Sequence, residues 1–544
     1  MHRYAGMALL LLASCAWAQH AQMGAGKAML LPGLGDLHHP VSTTNAEAQQ
    51  YFDQGMRLLY AFNHDEARRS FAKAAQFDPR LAMAWWGVAY AVGPNYNLPV
   101  DPEREKTGYD AVQKALALGA NAPAQEKAYI QALATRYSNA AKPDHQKLSQ
   151  NYAEAMRQLW QRYPDDPDAG ALFAESLMDL RPWELWNHDG TPAPGTEEII
   201  STLETVLRSH PNHIGALHFY IHAVEASPTP ERGLAAADRL RAMNLTGAGH
   251  LEHMPGHIYF RTGDYDSTVR VNVAADRADT QYEKLTGHTH GVYPMMYHAH
   301  NLQFLAVAAE MEGHCGQAVD AAARLREHVT PALGEMPMVQ VGMALPLVVG
   351  VRCGRWDDVL KASVPDTKYP VLAAMYHYSR GMALAATGKT EEAAAEEQQL
   401  AALVRQTPKD ELSNLDSNMP GVFQIADQVL LARLAEARGD GAEALKLWRA
   451  AVSLQDAQNY DEPPDWYYPV RESLGGALLR AGDARGAEQV FREDLVKNPR
   501  NPRSLFGLAE ALKRQGRDYD AGWVQKEFEA AWHGADVQLS VGRL

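Results

Sequence analysis

What most constrains this chain is the recurrence, about every 34 residues, of small and large apolar residues at matched offsets. Gly55, Leu58, Ala67, Phe71, Ala74 and Pro79 mark one copy, and Gly475, Gly482, Ala487, Phe491 and Pro499 repeat its spacing near the C-terminus. Leu505, Leu508, Ala509, Gly516 and Ala521 follow one period later. Weaker copies fall at Trp85, Val88 and Ala89, at Ala318, Ala322 and Leu325, and at Ala444, Trp448 and Ala451. Small residues let two helices approach closely, and a unit of this size buries its apolar face only by stacking on its neighbours. The expected fold is therefore all-α, a right-handed superhelical solenoid of roughly ten to twelve helical pairs running from about residue 45 to the end. A composition of 46% hydrophobic and 22% charged residues, without alternating β-branched runs, agrees with it. A solenoid grows by repetition, so 544 residues need not divide into globular domains.

Residues 1–18 read as an export signal. Arg3 supplies the positive start, Met7 to Ala13 an apolar core too short to span a bilayer, and Ala16-Trp17-Ala18 a small-x-small cleavage site. Leu12-Ala13-Ser14-Cys15 also fits a lipoprotein box, so a lipid anchor on Cys15 stands beside soluble export. Residues 19–44 then form an N-terminal extension, and the mature chain is expected in the periplasm or outside the cell. No other stretch is apolar enough to cross a membrane. A net charge of −15 argues against nucleic acid or an anionic membrane as partner. Cys315 and Cys353 are read either as a disulfide or as two separate buried thiols.

Chemistry is suggested by histidine. His218 with His222, and His253 with His257, are two pairs spaced four residues apart that recur at an interval of 35 residues. Residues i and i+4 share a helix face, and packed helices run about 8–10 Å apart, so the four imidazoles should share one patch. In tetratricopeptide repeats, the helical pairs of this period, positions 2, 5, 9 and 12 of the first helix line the concave groove. With units starting at Ile214 and Gly249, the four histidines take positions 5 and 9, His250 position 2 and Glu225 position 12. Glu175 takes position 9 of the preceding unit and His300 position 2 of the following one, with His298 and Asn301 alongside. His218, His222, His253, His257, Glu225 and His300 are thus candidate ligands for a transition metal such as Cu, Fe or Zn. Glu175, His250, His298 and Asn301 are candidate ligand contacts. Trp86 and Tyr90 occupy groove positions of an early unit and could stack on a ligand, while Arg261 and Arg471 could clamp a carboxylate or phosphate. All four also have plain structural readings, among them a pairing of Glu462 with Arg471. The first histidine of each pair lacks the following glutamate of a zinc-protease helix, and no phosphate loop or nucleophile elbow is present. Loops at 93–99, 181–195 and 459–466 are rich in aromatic and amide residues and are expected to fold onto the groove.

The segments Gly215-Ala216-Leu217-His218-Phe219-Tyr220-Ile221-His222-Ala223-Val224-Glu225, His253-Met254-Pro255-Gly256-His257-Ile258-Tyr259, and Glu462-Pro463-Pro464 with Trp466-Tyr467-Tyr468-Pro469-Val470-Arg471-Glu472 together resemble a class of exported bacterial tetratricopeptide repeat proteins. The resemblance spans nearly the whole mature chain. It implies the helical solenoid and a groove for a peptide or protein, and it lends no activity. Two functions stay open: a module binding a peptide, protein or small ligand, and a metal-dependent oxidoreductase or hydrolase with an open coordination position. The histidines likewise admit a metal site, a metal-free ligand groove or a structural polar network.

Overall fold

The computed structural model describes residues 28–99 and 101–544. The export signal expected at 1–18 and the start of the extension lie outside them. Among the described residues the chain is all-α and built from tetratricopeptide-type helix pairs, with only the isolated bridges Asn95–Leu98 and Trp186–Pro192 as β structure. None of these helices is long and apolar enough to cross a membrane.

The described residues form two compact units, one of residues 28–258 and 273–298, the other of Tyr259–Asn272 and Ala299–Leu544. The same residues build both. In the first, the fully buried Phe71 on His64–Phe77 is wedged between Gly55 and Gly87, where a Cβ would come within 3.0 Å of its ring. In the second, Phe491 on Ala484–Lys497 is gripped in the same way by Gly475 and Gly507. Gly475→Ala should therefore destabilise its unit by about 1–3 kcal/mol through overpacking. The check is a lower urea midpoint followed by far-UV circular dichroism; an unchanged midpoint would mean that the helices simply move apart.

Sequence also fixes the turns. Gly482 and Gly516 have φ of +84° and +71°, a left-handed backbone that a residue without Cβ adopts cheaply. In the second unit Cys315, which opens Cys315–Val329, is joined to Cys353, the C-cap of Gln340–Arg352. Of the two readings of the cysteines, the disulfide is the one realised, with an S–S distance of 2.04 Å.

Residues 28–44 lie along the first helices. The Leu31 N–H donates to Gln54 Oε1 at 2.7 Å, His38 Nδ1 lies 2.8 Å from Asp53 Oδ2, and the Ser42 hydroxyl donates to Glu126 Oε2 at 2.7 Å.

Candidate metal centre

The helix Ile214–Glu225 is buried along its whole length and carries His218, His222 and Glu225 on one face. Its N-cap is His213, whose Nδ1 accepts from the Ala216 N–H at 3.0 Å. The partner segment comes in two pieces, Gly249–His253 and Pro255–Arg261, because Pro255 cannot continue the backbone ladder. It supplies His250, His253 and His257. All five imidazoles are 3% exposed or less, and Glu225 is 1% exposed.

Hydrogen bonds set how each ring presents its nitrogens. His218 Nδ1 lies 2.6 Å from the Tyr60 carbonyl, which only accepts, so this nitrogen carries the proton and Nε2 the lone pair. His222 Nδ1 donates in the same way to Glu225 Oε1 at 2.7 Å, and His257 Nδ1 lies 2.5 Å from Glu225 Oε2. The freed nitrogens converge. His218, His222 and His250 offer ligand atoms within 4.8 Å of one another, with His218 Nε2 and His250 Nε2 3.1 Å apart. His253 Nε2 and His257 Nε2 face each other at 2.8 Å. Metal–nitrogen bonds of about 2.0–2.1 Å in tetrahedral geometry separate ligand nitrogens by about 3.3 Å, close to what these rings show.

Burial, reinforced by His222, pushes His218 well below its ordinary value. Burial also lowers His222, against the pull of Glu225. Both rings are therefore neutral, as ligation requires. Burial alone would raise Glu225, but His257 and His222 hold it well below the usual carboxylate range.

The pocket is roofed by aromatic rings. Phe62 lies 4.4 Å from His218, 5.3 Å from His250 and 5.9 Å from His222, centroid to centroid. Tyr96 and Trp183 stack on each other at 5.4 Å and lie 5.5 and 6.0 Å from His222, so the loops at 93–99 and 181–195 do fold onto the histidines. Phe62 and Trp183 have φ of +55° and +62°. A left-handed backbone costs a residue with a Cβ about 1–2 kcal/mol, and Phe62 holds it in the interhelix turn where other repeats place Gly439, Gly482 and Gly516. Strain of this kind gathers at functional sites.

A second polar cluster supports the first. Asp168, near the start of Pro167–Met178, accepts from Tyr60 Oη at 2.6 Å and from His213 Nε2 at 3.0 Å through Oδ1, and faces His39 Nδ1 at 2.7 Å through Oδ2. Burial lowers His39, but Asp168 more than reverses this and the net shift is upward. Burial raises Asp168, while His39 and His213 hold it far below its ordinary value. Two groups that position the histidine helix, Tyr60 and His213, thus share one carboxylate with the N-terminal extension.

The structure brings together His218, His222, Glu225, His250, His253 and His257. His300 and Asn301 stand on Ala299–Met311 in the second unit. His298 is held between Asp276 at 3.1 Å and Glu283 at 2.8 Å; burial lowers it, but the carboxylates push it up to about 10, so it is an imidazolium tied into an ion cluster. Glu175 is buried and accepts from the Tyr90 hydroxyl, beside the Arg136–Asp179 pair. Trp86 and Tyr90 are 1% and 2% exposed, and Trp86 packs on Phe52 and Tyr129. The ligand-stacking role expected of them gives way to core packing, because the Ala82–Val92 helix is buried almost throughout. Arg471 is clamped bidentately by Asp456 at 2.7 and 2.6 Å, not by Glu462. Glu462 instead accepts from Tyr460 at 2.8 Å and faces Arg261, whose guanidinium lies over the Tyr460 ring. Sequence reasoning missed Phe62, His39, His213 and Asp168. Only Phe62 left a signal, an aromatic residue where the repeat calls for glycine.

Fold and site together describe an all-α repeat protein with a buried histidine cluster. No protein-family model matches the chain. A stretch of 95 residues, 15% of the chain, is 34% identical to an uncharacterized protein of Aquifex aeolicus (strain VF5), and the chain spans 12% of that relative. Among solved structures, the human IFIT1 dimer with m7Gppp-AAAA is similar at 12% identity and a TM-score of 0.34, covering 91% of this chain and 92% of that one. Yeast Tom70 is similar at 13% identity and a TM-score of 0.30, covering 91% and 93%. The APC/C hetero-tetramer Cut9-Hcn1 is similar at 10% identity and a TM-score of 0.29, covering 89% and 90%.

Proposed function

We propose that this chain is an exported tetratricopeptide-type scaffold that holds a transition metal inside one unit, through Nε2 of His218, His222 and His250. The observation that carries the reading is His222 Nε2. With Nδ1–H given to Glu225, Nε2 bears a lone pair, is buried, and meets no hydrogen-bond donor among the described residues. Without metal, His250 can donate to His218 and satisfy that pair, but His222 stays unsatisfied, at a cost of about 1–3 kcal/mol. A cation between the three rings removes that cost. The carboxylate behind His222 and the carbonyl behind His218 are the outer partners that fix a metal-binding imidazole and raise its basicity. Neutral imidazole suits Cu, Fe or Zn. The disulfide in the other unit fits an oxidising compartment, as the reading of residues 1–18 requires. Stacked repeats offer an extended surface for a peptide or protein partner, apart from the buried histidines.

Elemental analysis of tag-free protein beside His222→Ala tests this. Metal should be bound in the wild type and fall by one equivalent in the variant, with helical content retained. Metal-free wild-type protein, or equal metal in both, overturns the reading.

A further inference from the structure

The cluster holds more imidazole than one ion can use, and it divides at Glu225. Only His218, His222 and His250 come within mutual ligand distance on one side of it. On the other side His253 and His257 turn their Nε2 atoms to each other at 2.8 Å, at 0% and 1% exposure. Glu225 meets each half with a different oxygen, Oε1 to His222 Nδ1 and Oε2 to His257 Nδ1. One carboxylate thus fixes the proton of His222 and lies against Nδ1 of His257, whose Nε2 points at a different set of partners. A single three-histidine site needs only the first of these contacts.

Resting on the metal reading above, we infer that the cluster is built for two ions, one on His218, His222 and His250 and a second on His253 and His257, with Glu225 as their shared orienting carboxylate. The halves adjoin: the His222 and His257 rings lie 5.5 Å apart, and the His250 and His253 rings 5.8 Å, centroid to centroid. The two imidazoles that this unit supplies do not by themselves complete the coordination of the second ion, since protein-bound ions of this kind commonly take four ligands. One buried carboxylate also cannot balance the charge of two ions, so the remaining positions select an anion. Hydroxide, or an anion of a few atoms, is the chemical class the paired centre accepts.

The test is a titration of the full-length, tag-free, chelator-stripped protein with Cu(I) under reductant and, separately, with Zn(II), counting bound ions per chain. Wild type should saturate at two equivalents with at least one of the metals. His253→Gln should bind one, and so should the double variant His222→Gln, His250→Gln, which leaves the first site a single imidazole. Circular dichroism selects variants that keep their helices, and the wild-type break point needs no variant at all. Saturation at one equivalent, or two equivalents retained in His253→Gln, overturns the paired centre. Zero equivalents in the wild type overturns the underlying metal reading instead.

Discussion

Asp168→Asn should lower the stability of the first unit by about 3–5 kcal/mol, the cost of leaving a buried charge without its partner. The Asp168 carboxylate takes three neighbours at once: the Tyr60 hydroxyl, His213 and His39. An amide keeps the shape but supplies one acceptor oxygen and no charge, so His39 is left protonated and buried, or must give up its proton. The effect has a pH signature. Asp168 is held below its ordinary value of 3.8, so its contribution is present above that pH and is lost as pH falls through the lower folded value. His39 is raised above its ordinary value of 6.5, so its contribution is complete below that pH and fades as pH rises through the higher folded value. Urea midpoints of wild type and variant should therefore differ most between pH 3.8 and 6.5, with the difference narrowing on either side and not vanishing at alkaline pH, where Tyr60 and His213 still hold the carboxylate. A difference that is flat from acid to alkaline pH would mean that Asp168 acts through shape and not charge. Because Tyr60 and His213 also hold the His218 helix, the variant should bind metal more weakly as well.

The paired-helix repeat was legible because its grammar is local. A glycine facing an aromatic residue of the next helix, Gly55 on Phe71 and Gly475 on Phe491, recurs at a fixed offset and reads directly as close helix packing. The histidine pairs were legible for the same reason, since i and i+4 share a face whatever surrounds the helix. What covers that face was not legible. The repeat register treats positions 2, 5 and 9 as the wall of an open groove, yet here a turn and two loops close over them, and Phe62, Tyr96 and Trp183 turn a surface into an interior. The supporting carboxylate was hidden by distance along the chain: His39 reaches Asp168 across 129 positions, and His218 reaches the Tyr60 carbonyl across 158. No periodicity encodes such contacts. Trp86 and Tyr90 failed as ligand contacts for a related reason, because the register gives the direction of a side chain and not whether another helix already fills the space.

Glu225→Gln should weaken metal binding by about 10–100-fold, the usual effect of losing an outer partner of a metal-bound histidine. The glutamate offers an acceptor oxygen to each side: His222 donates its Nδ1–H to one, and Nδ1 of His257 lies against the other. Glutamine replaces one of those acceptors with an NH2 group, which faces an N–H and repels it. The imidazole on that side must move its proton to Nε2, the atom that points into the cluster, and a protonated nitrogen cannot bind a metal. The substitution changes neither volume nor backbone and removes the one charge lying between the two halves. Competition against a chelator of known affinity should therefore find weaker binding on one side of the cluster, with helical content unchanged. A variant that binds metal as tightly as the wild type would show that the carboxylate merely fills space, and would leave the proton of His222 to be fixed by something else.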